Sequence, residues 1–392
     1  MHKRWMVAAL MTLALASAAG SAGAQVWVPV WTASPAPDRR DGTPEAPLQF
    51  ADQSVRQDMR LGASAKALRF RISNELGSAP LKLDTVTARL VDSNAKAQTV
   101  LFDGRTEVVI PPGALLISDP VAIAAPAFAQ VALSLHFPDP TRPAVRRTAV
   151  RIAPGKTEVA DSVPLSYRQN VISAVLAERD QDPVTIVALG DSITEGATAG
   201  LGKEGDWPAL LARRLDQACP SRFVVLNAGI SGNKVLDAGR SHSALARLDR
   251  DVLSLPGVDY VIVLEGINDI RHSGKPDFLP GRNAKDMILG YRQIVDRLQV
   301  HGIRTIGATL TPFGGSERYE PVSTATRQTL NAFIRDSKAF SAVIDFDAAL
   351  RDPANPESLP AAITRDQLHP NAEGYANMAK SIDLSLFGCQ AR

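Results

Sequence analysis

The 392-residue chain contains only two cysteines, Cys219 and Cys389, and six histidines. It has no CxxC and no Cys/His cluster, which argues against a structural zinc. Lys and Arg nearly balance Asp and Glu, for a formal net charge of +2, and they are scattered rather than clustered. Nothing therefore points to nucleic acid or to an anionic membrane as a partner. Beyond the N-terminal segment no long uncharged apolar run occurs, so no stable membrane insertion is expected. That part of the chain also lacks internal repeats and low-complexity segments.

At the N-terminus, His2, Lys3 and Arg4 form a basic start. An apolar run follows to about Ala16, and Ala22-Gly23-Ala24 ends it with small residues. This is the pattern of a secretory signal peptide, residues 1–24. A retained anchor is the alternative, and the A-x-A ending argues against it. The expectation is a secreted or periplasmic protein, in which a disulfide is permitted.

The remaining length suits two domains, and 45% hydrophobic residues suffice for full cores. Through residues 25–170 the apolar period is two. "ALRFRIS" (Ala67–Ser73), "DTVTARLV" (Asp84–Val91), "TEVVI" (Thr106–Ile110) and "VALSLHF" (Val131–Phe137) are short strand-like runs separated by turns such as "PPGA" and "FPDPTRP". This predicts an antiparallel β-sandwich domain. Residues 171–183 read as a linker. From 184 to 392, short apolar runs alternate with helical patterns. The runs are Val184–Leu189, Phe223–Leu226, Tyr260–Leu264, Thr305–Thr309 and Ala342–Ile344. The helical stretches are "WPALLARRLDQA", "SALARLDRDVLSL", "AKDMILGYRQIVDRLQVHG", "TATRQTLNAFIRDSKAF" and a last helix at about Ala372–Leu386. Strands buried on both faces and joined by helical crossovers make a doubly wound α/β domain with a parallel sheet.

Active residues of such sheets gather at the carboxyl ends of the strands. After the first strand come Gly190-Asp191-Ser192. A serine at a helix N-terminus is well placed as a nucleophile, because free N–H groups and the helix dipole favour the oxyanion it creates. It is equally a helix cap, and this stretch alone leaves both readings open. After the second strand, "NAGISGN" (Asn227–Asn233) offers Gly232, whose N–H can donate to an oxyanion; an ordinary tight turn reads the same way. After the third strand, "EGINDI" offers the neutral amide of Asn268, an uncharged oxyanion donor or an Asx-turn residue. Before the last helix, "DQLHPNAEGY" places Asp366 three residues ahead of His369. Pro370 disfavours a helical His369, and Asn371 can cap the following helix. A histidine suits proton removal from serine near neutral pH, and a carboxylate can fix its tautomer. Each feature is ambiguous singly; together they assemble a nucleophile, a base, an orienting acid and oxyanion donors at one sheet edge.

These blocks resemble those of the SGNH hydrolases, the GDSL esterase/lipase family. Gly190-Asp191-Ser192 carries the family's serine, with Ile193 in place of the leucine. Gly232, Asn268 and the Asp366/His369 pair match the glycine, asparagine and D-x-x-H blocks. The first half, with "WTASPAP" (Trp31–Pro37) and "RISNELGSAPL" (Arg71–Leu81), looks like a β-domain that precedes this hydrolase domain in a bacterial subgroup. The resemblance implies a three-layer α/β/α, flavodoxin-like domain of strand order 2-1-3-4-5. In that topology the first and last helices lie side by side, which implies a Cys219–Cys389 disulfide.

The resemblance further implies a serine esterase working through an acyl-enzyme, without metal or cofactor. Ser192, Asp366 and His369 are its catalytic residues, and the Ser192 and Gly232 N–H groups with the Asn268 amide form its oxyanion hole. Asp191 is assigned a structural role. The loops "RHSGKPDFLPG" and "TPFGGSERYE" are polar, with Phe278, Phe313 and Tyr319 as their aromatics, and carry no lid-like amphipathic helix. This favours short-chain acyl (acetyl) esters of a carbohydrate or small molecule. The alternatives are a lipase or lysophospholipase, and a carbohydrate-binding protein with an inactive hydrolase domain. The sequence does not bear on oligomeric state.

Overall fold

The computed structural model describes residues 26–37, 49–200, 202–239, 241–271, 282–317 and 319–390. The expected signal peptide, and the 272–281 loop with Phe278, lie outside the described residues.

The first half is built of β1 (Val26–Thr32), β2 (Gln53–Arg60), β3 (Leu68–Ser73), β4 (Leu81–Leu83), β5 (Thr85–Leu90), β6 (Gln98–Thr99), β7 (Val108–Ile110), β8 (Leu115–Ile117), β9 (Gln130–Phe137), β10 (Val145–Pro154), β11 (Ser166–Asn170) and β12 (Ile172–Arg179). They form a four-stranded sheet of order β1-β12-β3-β8, a six-stranded sheet of order β11-β10-β2-β9-β5-β6, and a β4-β7 pair. The neighbours pair antiparallel. The alternation read from the sequence works here as burial. In β5, Val86 and Ala88 point inward while Thr85 and Thr87 are only half-buried.

Residues 171–183 are not a linker. Ile172–Arg179 is strand β12, hydrogen-bonded to β1 on one side and β3 on the other. Its first six residues are all buried, because a central strand covered on both faces needs apolar side chains at every position. Only residues 180–183 separate it from the next strand.

The second half contains β13 (Val184–Gly190), β14 (Phe223–Gly229), β15 (Val258–Leu264), β16 (Arg304–Ala308) and β17 (Ala342–Ile344). Their order is β14-β13-β15-β16-β17 and all pairs are parallel, which is the 2-1-3-4-5 arrangement. The helices are α1 (Ser192–Glu195), α2 (Trp207–Ala218), α3 (Ala244–Leu248), α4 (Ile267–Ile270), α5 (Ala284–Val300), α6 (Pro321–Asp336), α7 (Phe346–Leu350) and α8 (Ala372–Ser381). Helices α2, α7 and α8 pack together, as do α3, α5 and α6, giving the three layers. Apolar side chains of both halves join in one continuous core.

Helix ends follow local chemistry. Asp206 caps α2 by accepting from Ala209 N–H, and Asn371 caps α8 through Glu373 and Gly374. Pro321 opens α6, three residues before the helical pattern becomes visible, because proline's fixed φ and missing N–H suit a first turn. Two expected helices are divided. The Ser243–Leu255 stretch is α3 followed by a π turn over Asp249–Leu253. The Ala372–Leu386 stretch stops at Ser381, and Asp383 starts a separate 3-10 turn at Leu384–Phe387 by accepting from Ser385 N–H.

Helices α2 and α8 are neighbours, and the Arg214 guanidinium of α2 donates to the Ala379 and Ile382 carbonyls at the end of α8. Cys219, which caps α2, is bonded to Cys389 just past the last turn. The bridge spans 170 residues of sequence, so it restricts the unfolded chain strongly. Replacing both cysteines by serine is expected to cost about 2–4 kcal/mol of stability, measured by urea unfolding. Peptide mapping without reductant should recover the two half-cystines in one linked fragment.

Candidate active site

Strand β13 ends in Gly190 and the chain turns at once into α1. A Cβ on Gly190 would lie 2.2 Å from Thr194 Oγ1 and 2.4 Å from the Leu264 carbonyl. No other residue fits there, and the turn that carries Ser192 can therefore sit directly on the sheet. Asp191 caps α1, its Oδ1 accepting from Ile193 N–H at 2.9 Å. Ser192 is the first residue of α1, where an N–H has no partner within the helix.

Ser192 Oγ lies 2.8 Å from His369 Nε2, and His369 Nδ1 lies 2.6 Å from Asp366 Oδ2. His369 stands on the loop before α8, as Pro370 and Asn371 require. Asp366 Oδ1 also accepts the backbone N–H groups of Leu368 and His369 at 3.0 and 2.8 Å. Thr364 Oγ1 donates to the His369 carbonyl at 2.9 Å, pinning the loop from the other side. Burial pushes the Asp366 carboxyl upward, but hydrogen bonds from the His369 ring and backbone outweigh it and hold the acid below its ordinary range. It is thus an anion facing Nδ1, which keeps the proton on that nitrogen and leaves Nε2 to accept from serine.

Gly232 follows β14 with φ 73°, a left-handed conformation that favours glycine. Among the described residues its N–H has no partner, whereas the Ile230 and Asn233 N–H groups beside it donate to Gly190 and Ile230 carbonyls. Asn268, in α4, donates from Nδ2 to the Asn233 carbonyl at 3.0 Å and more loosely to Asp191 Oδ2 at 3.4 Å. It therefore bridges the residue before Ser192 and the residue after Gly232. The next residue, Asp269, accepts from the Val235 and Leu236 N–H groups at 2.8 and 3.1 Å.

Beneath these loops lies a group the sequence did not single out. The Arg247 guanidinium is fully buried. It donates to the Gly190 carbonyl (3.0 Å), the Ala228 carbonyl (2.7 Å), Asn233 Oδ1 (2.8 Å) and Asp251 Oδ2 (2.9 Å). Its Nη2 stands 3.7 Å from Glu265 Oε2. One side chain thus ties together the ends of β13 and β14 and the residue that follows β15. In "SALARLDRDVL" it reads as half of an ordinary i,i+4 pair with Asp251 on a solvated helix face, and only the fold reveals what it joins.

Burial raises Asp191 to about 7, against the opposing Ile193 N–H bond. Burial, and then the neighbouring Asp191, raise Glu265 well above the carboxylate range, with Arg247 pulling it down. Burial likewise lifts Asp269 to about 6.

Residues 188–376 match the GDSL-like Lipase/Acylhydrolase family. The second half of the chain is a GDSL-like hydrolase domain. As such it is a carboxylic ester hydrolase. Among solved structures, this chain is similar to an acetylxylan esterase of Geobacillus stearothermophilus. The identity is 24% and the TM-score 0.42, over 53% of this chain and 96% of the other. A GDSL-like lipase of Bacteroides thetaiotaomicron is 19% identical with a TM-score of 0.40, over 53% of this chain and 89% of the other. No curated protein matches the chain.

Because Arg247 neutralises buried carboxylates, Arg247→Met should destabilise the protein by about 3–5 kcal/mol near neutral pH. The pH dependence follows from linkage. Asp191 and Glu265 have raised folded values, so losing the cation hurts most where they would ionise, above about 7 for Asp191. Asp251, which burial raises but Arg247 and Arg250 pull below its ordinary value, loses the benefit of pairing as pH falls. The Asp251 effect falls in the acid range below its ordinary value, so between about pH 5 and 8 Asp191 and Glu265 set the trend: the penalty should be largest near about pH 8 and shrink toward about pH 5. Urea midpoints of both proteins across that range test it.

Proposed function

We propose that the protein is an exported serine esterase that removes short acyl groups from a carbohydrate or another hydrated small ester. The hydrogen-bonded row from Ser192 Oγ through His369 to Asp366 carries this reading. His369 Nε2 takes the serine proton as Oγ attacks the ester carbonyl, and the imidazolium is held by the Asp366 anion. The tetrahedral oxyanion lies against the Ser192 and Gly232 N–H groups and the Asn268 amide, whose Nδ2 holds Asp191 Oδ2 only loosely, at 3.4 Å, and can turn that hydrogen to it. His369 then protonates the departing alcohol. Water, activated by the same nitrogen, releases the acid from the acyl-enzyme.

Two observations support a small polar substrate. The His369 and Asp366 side chains keep 20% and 50% of their surface exposed, so the acid–base pair opens to water rather than to an apolar tunnel. The loop after β16 carries its aromatics inward: Phe313 is buried and its ring packs edge-on against Tyr319, leaving no broad apolar rim there for a long chain. Export is supported by the Cys219–Cys389 bond, since disulfides persist in oxidising compartments, and by the N-terminal sequence pattern. No helix among the described residues is long and apolar enough to cross a membrane.

Ser192→Ala should abolish hydrolysis of p-nitrophenyl acetate with the circular dichroism spectrum unchanged; near wild-type turnover refutes the assignment. Asn268→Ala should lower kcat by ~10²–10³. In a series of p-nitrophenyl esters the rate should fall beyond short acyl chains, and acetylated glycans should release acetate. A rate that climbs with chain length would favour a lipase instead.

A further inference from the structure

Tyr167 belongs to β11, an edge strand of the six-stranded sheet, in the domain that supplies none of the reacting groups. Its hydroxyl nevertheless crosses to the hydrolase domain and donates to Glu195 Oε1 at 2.9 Å. Glu195 is the last residue of α1, the short helix that Ser192 opens, and is 8% exposed. Its other oxygen, Oε2, accepts the backbone N–H of Ser231. Ser231 immediately precedes Gly232. The backbones themselves meet here, since a Cβ on Gly229 would lie 2.2 Å from Glu195 N. A continuous path of hydrogen bonds therefore runs from the β-sandwich, over the far end of the Ser192 helix, to the peptide just before the Gly232 N–H, which has no partner among the described residues.

A carboxylate with two oxygens and two donors on opposite sides has one orientation that satisfies both. Without the tyrosine hydroxyl, Glu195 Oε1 would lose a fixed partner, and the carboxylate could rotate and release Ser231. The Ser231–Gly232 link would then be free to turn the Gly232 N–H away from the carbonyl oxygen of the substrate.

We propose that Tyr167 of the β-sandwich is a positioning residue for ester hydrolysis, fixing the Gly232 oxyanion donor through Glu195 and Ser231. This rests on the assignment of Ser192 and Gly232 above. It also gives the first domain a function in the reaction, as the outer anchor of the oxyanion loop.

The test is Tyr167→Phe, which removes only the hydroxyl. With p-nitrophenyl acetate, kcat should fall about three- to tenfold, less than loss of an oxyanion donor itself. KM and the melting temperature should not move. Affinity for a boronic acid, which binds serine as a tetrahedral anion, should weaken by the same factor. Glu195→Ala, which removes both acceptors, should lose at least that factor, and the double variant should be no worse than Glu195→Ala alone. An unchanged kcat in Tyr167→Phe overturns the proposal, as does a loss confined to KM or losses that multiply in the double variant. Ser192→Ala is run in parallel. An active Ser192→Ala overturns the underlying assignment and this proposal with it; an inactive Ser192→Ala beside an unaffected Tyr167→Phe overturns this proposal alone.

Discussion

The buried guanidinium of Arg247 is the constraint on which the rest of the site depends. A parallel sheet delivers its loops at one edge, but each strand end leaves carbonyl groups that cannot reach water once the loops fold over them. Arg247 meets this need at two strands together, through the carbonyls of Gly190 and Ala228, and its Nη2 stands 3.7 Å from the Glu265 carboxyl at the end of a third. A guanidinium is the side chain with enough fixed donors to do so. Its charge is matched by Asp251, and Arg250 adds a second cation on the other oxygen of that acid. A buried charge with so many partners is expensive to disturb, so the relative heights of the three loops are set by one residue.

The candidate site residues rest on that platform with little freedom. Gly190 and Gly229 are the points of closest backbone approach, and a single methyl at either would push α1 off the sheet. Asp191 holds the helix start and, at longer range, Asn268. Asp269 holds the loop beyond Gly232. Asp191 and Asp269, the acids nearest Ser192, thus hold the backbone of these loops. Burial raises Asp191 and Asp269, whereas Asp366, half open to solvent, is held below its ordinary value where it faces the His369 ring.

The β-sandwich is part of the same construction. The "WTASPAP" segment lies against the α3 region: Ser34 Oγ approaches Arg247 Nη1 at 3.4 Å, and the Pro35 carbonyl accepts from Ser241 Oγ and Arg250 Nη2 at 3.1 and 3.4 Å. Arg71 reaches Ser254 Oγ, and Thr32 reaches the Asn227 carbonyl. With β12 running almost directly into β13 and a core shared across the junction, the two halves are built against each other at the residues that support the site.

By itself the sequence determined the two fold classes, the strand order through its family blocks, and the identity of Ser192, Gly232, Asn268, Asp366 and His369 as candidates. These are local signals: hydrophobic period, a proline, a cap, a glycine in a short loop. It misread β12 as a linker, because a fully buried central strand lacks the alternation by which its neighbours are found. It passed over Arg247, Glu195 and Tyr167, because a charge on a helix reads as solvated and a tyrosine on an edge strand reads as surface. Their roles arise only where segments far apart in sequence converge, as Ser34, Gly190, Ala228 and Glu265 do around Arg247, and as Tyr167 and Ser231 do around Glu195. Hydrogen bonds to a buried charge depend on which backbone atoms the fold brings within about 3 Å, and that only the tertiary structure decided.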